Sequence, residues 1–190
     1  MDITQFVLLP LLSCWALRRF AQVSPQHYGL GRLVHDEDLI SALVLFGVVT
    51  FIFTFGYPVA RLIASYFPWF WGPSSFSYEQ ALPINPAWAI VAVLFFSFSA
   101  GLVEEVFFRG LPALYLEARL SPQRLKLIYP LVSALAFSLI HWENGSREPV
   151  ATFLLGLLAA YFYLLIRNLW PFIVGHAFTD IFAFAGYYDF

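Results

Sequence analysis

Three groups of residues in this chain have the types and spacing for hydrolysis: Glu104-Glu105-x-x-x-Arg109, His141, and His176-x-x-x-Asp180. Glu105 and Arg109 are four apart, so on a helix they share a face and can pair. Glu104 then points roughly 100° away around the same helix, where it is left to act on a substrate or on water. His176 and Asp180 repeat the four-residue spacing, and a carboxylate so placed can accept a ring N–H and fix the tautomer of the imidazole. His141 follows Phe137 by one helical turn, so the phenyl ring can wall it. A carboxylate base, two imidazoles and a structural ion pair are a sufficient kit for turning water against an amide. Each group also has a plainer explanation. The glutamate pair can mark the point where a span meets the membrane surface, and a lone histidine at a span end is commonly a packed one. His176 with Asp180 inside a short apolar run is the hardest to read as packing, because ionisable groups are costly there.

The elements that must carry these residues are membrane helices. Of 190 residues, 61% are hydrophobic and 12% charged, against about 25% charged in soluble domains. Disorder is excluded by the same composition. A net charge of −2 with no basic stripe argues against nucleic acid. Cys14 is the single cysteine, which rules out an internal disulfide and a thiolate metal site. At roughly 20 apolar residues per span, six stretches qualify or nearly do: Ile3 to about Arg18, Leu39 to about Ala60, one from near Ala87, about Leu125 to Trp142, Pro149 to Ile166, and about Leu169 to Tyr187. Backbone groups in lipid must be satisfied within each segment, so the spans are helices. The expected fold is an all-α polytopic bundle of about six spans, residues 1–190 forming one domain with its motif-bearing core at about 87–186.

Charge sets the expected orientation. Arg18, Arg19 and Arg32 lie between spans one and two, Arg119, Arg124 and Lys126 between three and four, and Arg167 between five and six. The other loops hold only Arg61 and Arg147. Basic loops stay inside, so a multi-pass protein of the cell membrane with both termini outside is expected. Arg18-Arg19 follow the first apolar run, which suits an anchor rather than a cleavable leader. Pro68-Trp69-Phe70-Trp71-Gly72-Pro73 reads as a helix break in an interfacial aromatic belt, and Asp36-Glu37-Asp38 as a solvated helix start. Depth gives a test. Glu104 is fifteen residues from Arg119 and His141 fifteen from Lys126, so at ~1.5 Å per residue both lie about 22 Å from the inner loop. His176, nine residues past Arg167, is roughly 14 Å in. Gly110 and Pro112 interrupt the straight helix this arithmetic assumes.

Glu104-Glu105-Val106-Phe107-Phe108-Arg109-Gly110, Phe137-x-x-x-His141 and His176-x-x-x-Asp180 resemble the motifs EExxxR, FxxxH and HxxxN or HxxxD. These belong to the type II CAAX prenyl endopeptidase and bacteriocin-processing (CPBP, or Abi) family of glutamic-type intramembrane proteases. The resemblance covers about Ala87 to Gly186; Tyr28-Gly29-Leu30-Gly31-Arg32 is also similar to a segment common after the family's first span. It implies an intramembrane endopeptidase acting on a membrane-associated protein or peptide: a CAAX-type, bacteriocin-like or C-terminal sorting substrate. It further implies Glu104 as the residue that activates water with help from His141, Glu105–Arg109 as the supporting pair, and His176 with its partner at the oxyanion. Asp180 departs from the asparagine that prenyl endopeptidases often carry, and a carboxylate donates to an oxyanion only when protonated. No cofactor is favoured. If a divalent metal such as zinc is used, Glu104, His141 and His176 are its donor set. Other protease chemistries fit less well: His141-Trp142-Glu143 only begins like a zinc helix, and neither a Gly-x-Ser-Gly nor a Gly-x-Gly-Asp motif occurs. Two non-protease readings remain, a small ion- or proton-coupled transporter and a non-catalytic membrane immunity or chaperone factor.

Overall fold

The computed structural model describes residues 8–31, 39–67, 83–145 and 147–186. The Pro68–Pro73 aromatic run, Asp36-Glu37-Asp38, Arg32 and Tyr187 lie outside these residues. Six helices carry the fold among the described residues: α1 (Leu9–Phe20), α2 (Leu39–Ala64), α3 (Pro86–Glu117), α4 (Pro122–Leu139), α5 (Glu148–Ile166) and α6 (Trp170–Ala185). Short 3₁₀ turns at Pro25–Tyr28 and Trp142–Asn144 complete the chain path. The starts follow local rules. Asn85 Oδ1 accepts from the backbone N–H groups of Ala87 and Trp88 at 3.0 and 3.3 Å, ahead of Pro86 at the first helical position. Asn168 does the same for Trp170 at 3.0 Å, ahead of Pro171.

The six helices stand where the six spans are expected. By length and composition, α2, α3 and α5 are long and apolar enough to cross a membrane, and α6 is apolar but shorter. Helix α4 opens on Pro122-Gln123-Arg124-Leu125-Lys126, and this polar first turn keeps it below that measure. It also ends at Leu139, so His141 sits in the turn beyond the helix and not inside a span reaching Trp142. Large apolar side chains such as Leu43, Phe51, Trp88 and Leu135 face outward. On a water-soluble surface such patches drive association; against lipid tails they are matched.

Small residues set the close helix approaches, as they must where lipid removes the hydrophobic drive between helices. Helix α6 lies between α2 and α3. A Cβ on Gly101 of α3 would stand 2.9 Å from the Ile173 carbonyl oxygen and 3.3 Å from the Ala177 nitrogen. A Cβ on Gly175 would stand 3.2 Å from Thr50 Cα of α2. His176 is therefore carried on a helix whose backbone touches both neighbours, and it inherits little freedom to shift.

Helix α3 changes pitch at the centre of the motif. Val106–Gly110 form a π turn, closed by the Leu111 N–H bonding back five residues to the Val106 carbonyl. Pro112 supplies the cause: it has no N–H and its ring crowds the carbonyl of Phe108, four residues back. The carbonyls released there find side-chain partners on α4. Ser133 Oγ donates to Phe108 O at 2.5 Å and Tyr129 Oη donates to Arg109 O at 3.2 Å. The helix thus continues past Gly110 and Pro112 to Glu117, with a local widening where the motif's arginine projects.

Candidate active site

Glu105 and Arg109 meet inside the bundle with no solvent exposure; Arg109 Nε lies 3.3 Å from Glu105 Oε2. The guanidinium carbon sits 4.0 Å from the centre of the Phe137 ring, a cation–π contact worth about 2 kcal/mol when desolvated. Arg109 Nη1 and Nη2 meet no protein hydrogen-bond acceptor among the described residues, and Glu105 Oε2 receives no directed hydrogen bond. The pair is electrostatically joined yet short of hydrogen bonds.

The other oxygen of Glu105 is better served. His176 Nδ1 lies 2.8 Å from Glu105 Oε1, across 71 residues of sequence. A carboxylate accepts, so Nδ1–H is the donor. Nε2 then faces two further carboxylates, Glu104 Oε2 at 3.8 Å and Asp180 Oδ2 at 3.7 Å. The carboxylate that fixes the His176 ring is thus Glu105 and not the neighbour one turn along its own helix. Phe53 of α2 stacks on the imidazole, with ring centres 5.6 Å apart and planes 26° from parallel. Glu104 is itself almost buried and looks into the same space as His176 Nε2.

His141 joins this group through Phe137. Its ring centre is 4.7 Å from that of Phe137, which in turn is 5.9 Å from the His176 ring. His141 Nδ1 is 2.8 Å from the Phe137 carbonyl oxygen. A carbonyl only accepts, so in the neutral ring Nδ1 carries the hydrogen and Nε2 the lone pair. All six residues singled out in the sequence therefore fall in one region of the bundle. Glu104, Glu105, Arg109, His176 and Asp180 are in ionic contact, and His141 lies one aromatic ring away.

Several residues here carry no signal in their own stretch of sequence. Phe53 is one of many phenylalanines on a chargeless span. Tyr129 and Ser133, which hold the π turn, lie one turn apart on α4, a spacing visible only once the partner is known. Tyr57, Arg61 and Glu148 form a second polar cluster: Tyr57 Oη donates to Glu148 Oε2 at 2.5 Å, and Arg61 Nε lies 2.9 Å from Glu148 Oε1. The signal available was the four-residue Tyr57–Arg61 spacing and an acid directly before Pro149.

The residues present do not fit a metal ion. Among the described residues, no group of three or more His, Cys, Asp or Glu is arranged to hold one. The expected donor set of Glu104, His141 and His176 is not gathered at one point: the Phe137 ring packs against both imidazoles, 4.7 Å from the His141 ring and 5.9 Å from the His176 ring.

A bundle of apolar helices enclosing three carboxylates, a guanidinium and an imidazole has the make-up of an intramembrane enzyme, since such groups are kept inside a membrane protein for function. The family is specific. Residues 86–182, half of the chain, match the family model described as type II CAAX prenyl endopeptidase Rce1-like, and the chain belongs to this family of membrane proteases. No curated protein and no solved structure matches it. The matched segment runs from the start of α3 into α6 and contains every candidate site residue.

Proposed function

We propose that this protein is an intramembrane endopeptidase that cleaves a peptide bond of a membrane-associated substrate with water activated by Glu104. The observation that carries the reading is the meeting of Glu104 and His176 Nε2 across one small space, with Glu105 holding the far side of the imidazole. Water bound against Glu104 attacks the carbonyl carbon, and its proton passes to the carboxylate. His141, with its Nε2 lone pair available, shares that proton. His176 acts in its imidazolium form: Nδ1–H stays with Glu105 while Nε2–H donates to the oxyanion as the tetrahedral intermediate forms. The C–N bond then breaks, and the proton held at Glu104 goes to the leaving amine nitrogen. Glu105 and Arg109 act as positioning residues: they hold the ring of His176 and touch no reacting atom. Asp180 adds negative charge beside Nε2 and favours its donor form. This reading assigns no step to a metal or other cofactor.

The substrate class follows from the family: a CAAX-type C-terminal peptide first, with bacteriocin-like and C-terminal sorting peptides as the other members of the class. The protein is placed in the cell membrane with both termini outside, on the distribution of its basic loops.

The test is reconstitution into liposomes with internally quenched peptides: one ending in a prenylated Cys-aliphatic-aliphatic-X sequence, the others bacteriocin-like and sorting-signal peptides. Cleavage by wild type and its loss in Glu104→Ala are expected, with no change after exhaustive chelation. Equal behaviour of wild type and Glu104→Ala on every peptide, or pH-driven ion flux that Asp180→Ala removes, would overturn the reading.

A further inference from the structure

The stretch between α1 and α2 lies outside the segment that matches the family, yet it is built against the centre of the site. Tyr28 is buried to 2% exposure. Its hydroxyl donates to Cys14 Sγ at 3.6 Å, and burial, then this bond, push its phenol well above the ordinary tyrosine range, so it stays a neutral donor. Gly29 has φ +93°, and a Cβ there would stand 2.6 Å from Tyr163 Oη and 2.9 Å from Leu169 Cγ. Both the left-handed backbone and the close approach require glycine. The Gly29 carbonyl accepts from Leu169 N–H at 2.9 Å, and the Gly31 carbonyl from Trp170 Nε1–H at 3.1 Å. These two bonds fasten the turn to the start of α6.

The same turn touches the π turn of α3. The Tyr28 carbonyl lies so close to Gly110 that a Cβ on Gly110 would collide with it; Leu169 Cδ1 and Tyr28 Cβ would follow at 3.1 and 3.2 Å. Gly110 is the residue after Arg109. A π turn lacks the regular ladder of an α-helix, so its shape is set by what surrounds it. Ser133 and Tyr129 hold it from α4, and the 3₁₀ turn supplies the remaining wall.

We propose that residues 25–31 are a positioning element for the reaction: they brace the π turn at Gly110 and so fix the Glu105–Arg109 pair that orients His176. The inference rests on the protease reading for its kinetic consequence, while the brace itself has a readout that does not depend on activity. It also assigns a function to the N-terminal third, which by sequence contributes mainly spans.

The experiment combines hydrogen exchange with cleavage of the prenylated Cys-aliphatic-aliphatic-X peptide, on the full chain in lipid nanodiscs. In Gly110→Ala, amides of residues 106–111 are expected to exchange at least about tenfold faster, while α2 and α5 keep their protection. Loss of placement by a fraction of an ångström lowers kcat by up to about 10²-fold, with KM unchanged. Trp170→Phe keeps the aromatic bulk and removes one fastening bond, so a smaller change at the same amides is expected. Gly47→Ala on α2, with nothing within 4 Å of its Cβ among the described residues, should match wild type in both measurements. Unchanged exchange at 106–111 in Gly110→Ala overturns the proposal. So does exchange that rises equally in every helix, because the change would then be one of general stability. If wild type cleaves no peptide, the protease reading fails on that arm and the exchange arm still decides the brace.

Discussion

Two buried carboxylates in this protein each serve two partners, and they do so to different ends. Glu148 receives Tyr57 Oη on one oxygen and Arg61 Nε on the other, at 2.5 and 2.9 Å. Its cluster is balanced in charge, both oxygens are satisfied, and Arg61 keeps 49% of its side chain exposed. Glu105 receives His176 on one oxygen, while its other oxygen and the guanidinium of Arg109 are left short of hydrogen bonds in a fully closed setting. Glu104 and Asp180 add two more carboxylates, both turned to Nε2 of the same His176 ring. A cluster that saturates itself is a clasp: here it ties the C-terminal end of α2 to the start of α5, beside the seam of Ala60, Ala64 and Ala151. A cluster that the fold leaves unsaturated retains capacity to bind and polarise something else, and buried polar groups without partners are rare enough to call for such an explanation.

The largest effect that separates the two clusters is on chemistry alone. Glu104→Gln keeps shape and removes the base, so kcat should fall by about 10³-fold, within the range that general-base catalysis supplies. Thermal stability should be unchanged. Peptide cleavage and thermal unfolding of the same detergent preparation check both halves. A residual rate near wild type would remove Glu104 from the role of base.

Next comes Glu105→Gln, where chemistry and stability should fall together. Arg109 is then a buried charge without its counter-ion, a loss of about 3–5 kcal/mol, and His176 loses the acceptor that orients it. A falling unfolding temperature, with cleavage reduced by at least about tenfold, is expected. A double variant, Glu105→Gln with Arg109→Met, should recover stability and leave cleavage low. Recovery of both would show that the pair does not orient His176.

Much of this was legible before any coordinates. Lipid demands long apolar runs, so six helices and their approximate ends could be read from where charges are absent. The Glu105–Arg109 pairing follows from a spacing of four and survives the π turn. What was not legible depends on competition between partners. His176 has an acid four residues along its own helix, and local spacing favours Asp180; the bundle brings Glu105 closer, from 71 residues away. Gly110 and Pro112 were visible as an interruption, but whether helix α3 breaks or widens depends on Ser133 and Tyr129 on another helix taking the released carbonyls. The Tyr57–Glu148–Arg61 clasp needed the crossing of α2 and α5, which no periodicity encodes.

The clasp gives a smaller prediction, opposite in kind to the first. Glu148→Gln keeps an acceptor for Tyr57 and removes the partner charge of a half-exposed arginine. A part-exposed pair of this type is worth about 1 kcal/mol, so the unfolding temperature should drop by a few degrees. Cleavage should stay within about threefold of wild type, under 1 kcal/mol in barrier. A collapse of kcat at preserved stability would mean that the clasp belongs to the site, and the contrast between the two clusters would dissolve.

Asp180→Asn is the finest probe, because it alters the unsaturated cluster without emptying it. The Asp180 carboxylate is 3.7 Å from His176 Nε2, beyond a hydrogen bond, and about a quarter of its side chain is exposed. Its effect on the ring is therefore a screened charge. An asparagine amide has the same shape and adds N–H donors, which a developing oxyanion can use directly and a carboxylate cannot offer. The lost charge and the gained donor act in opposite directions on the transition state, so kcat should move by no more than about threefold either way. The two contributions separate in Asp180→Leu, which loses the charge without gaining the donor and should therefore be slower than Asp180→Asn in the same cleavage assay. An Asp180→Asn enzyme as slow as Glu104→Gln would instead make Asp180 a carrier of the reaction's proton, and the division between one base and its supports would have to be redrawn around two bases.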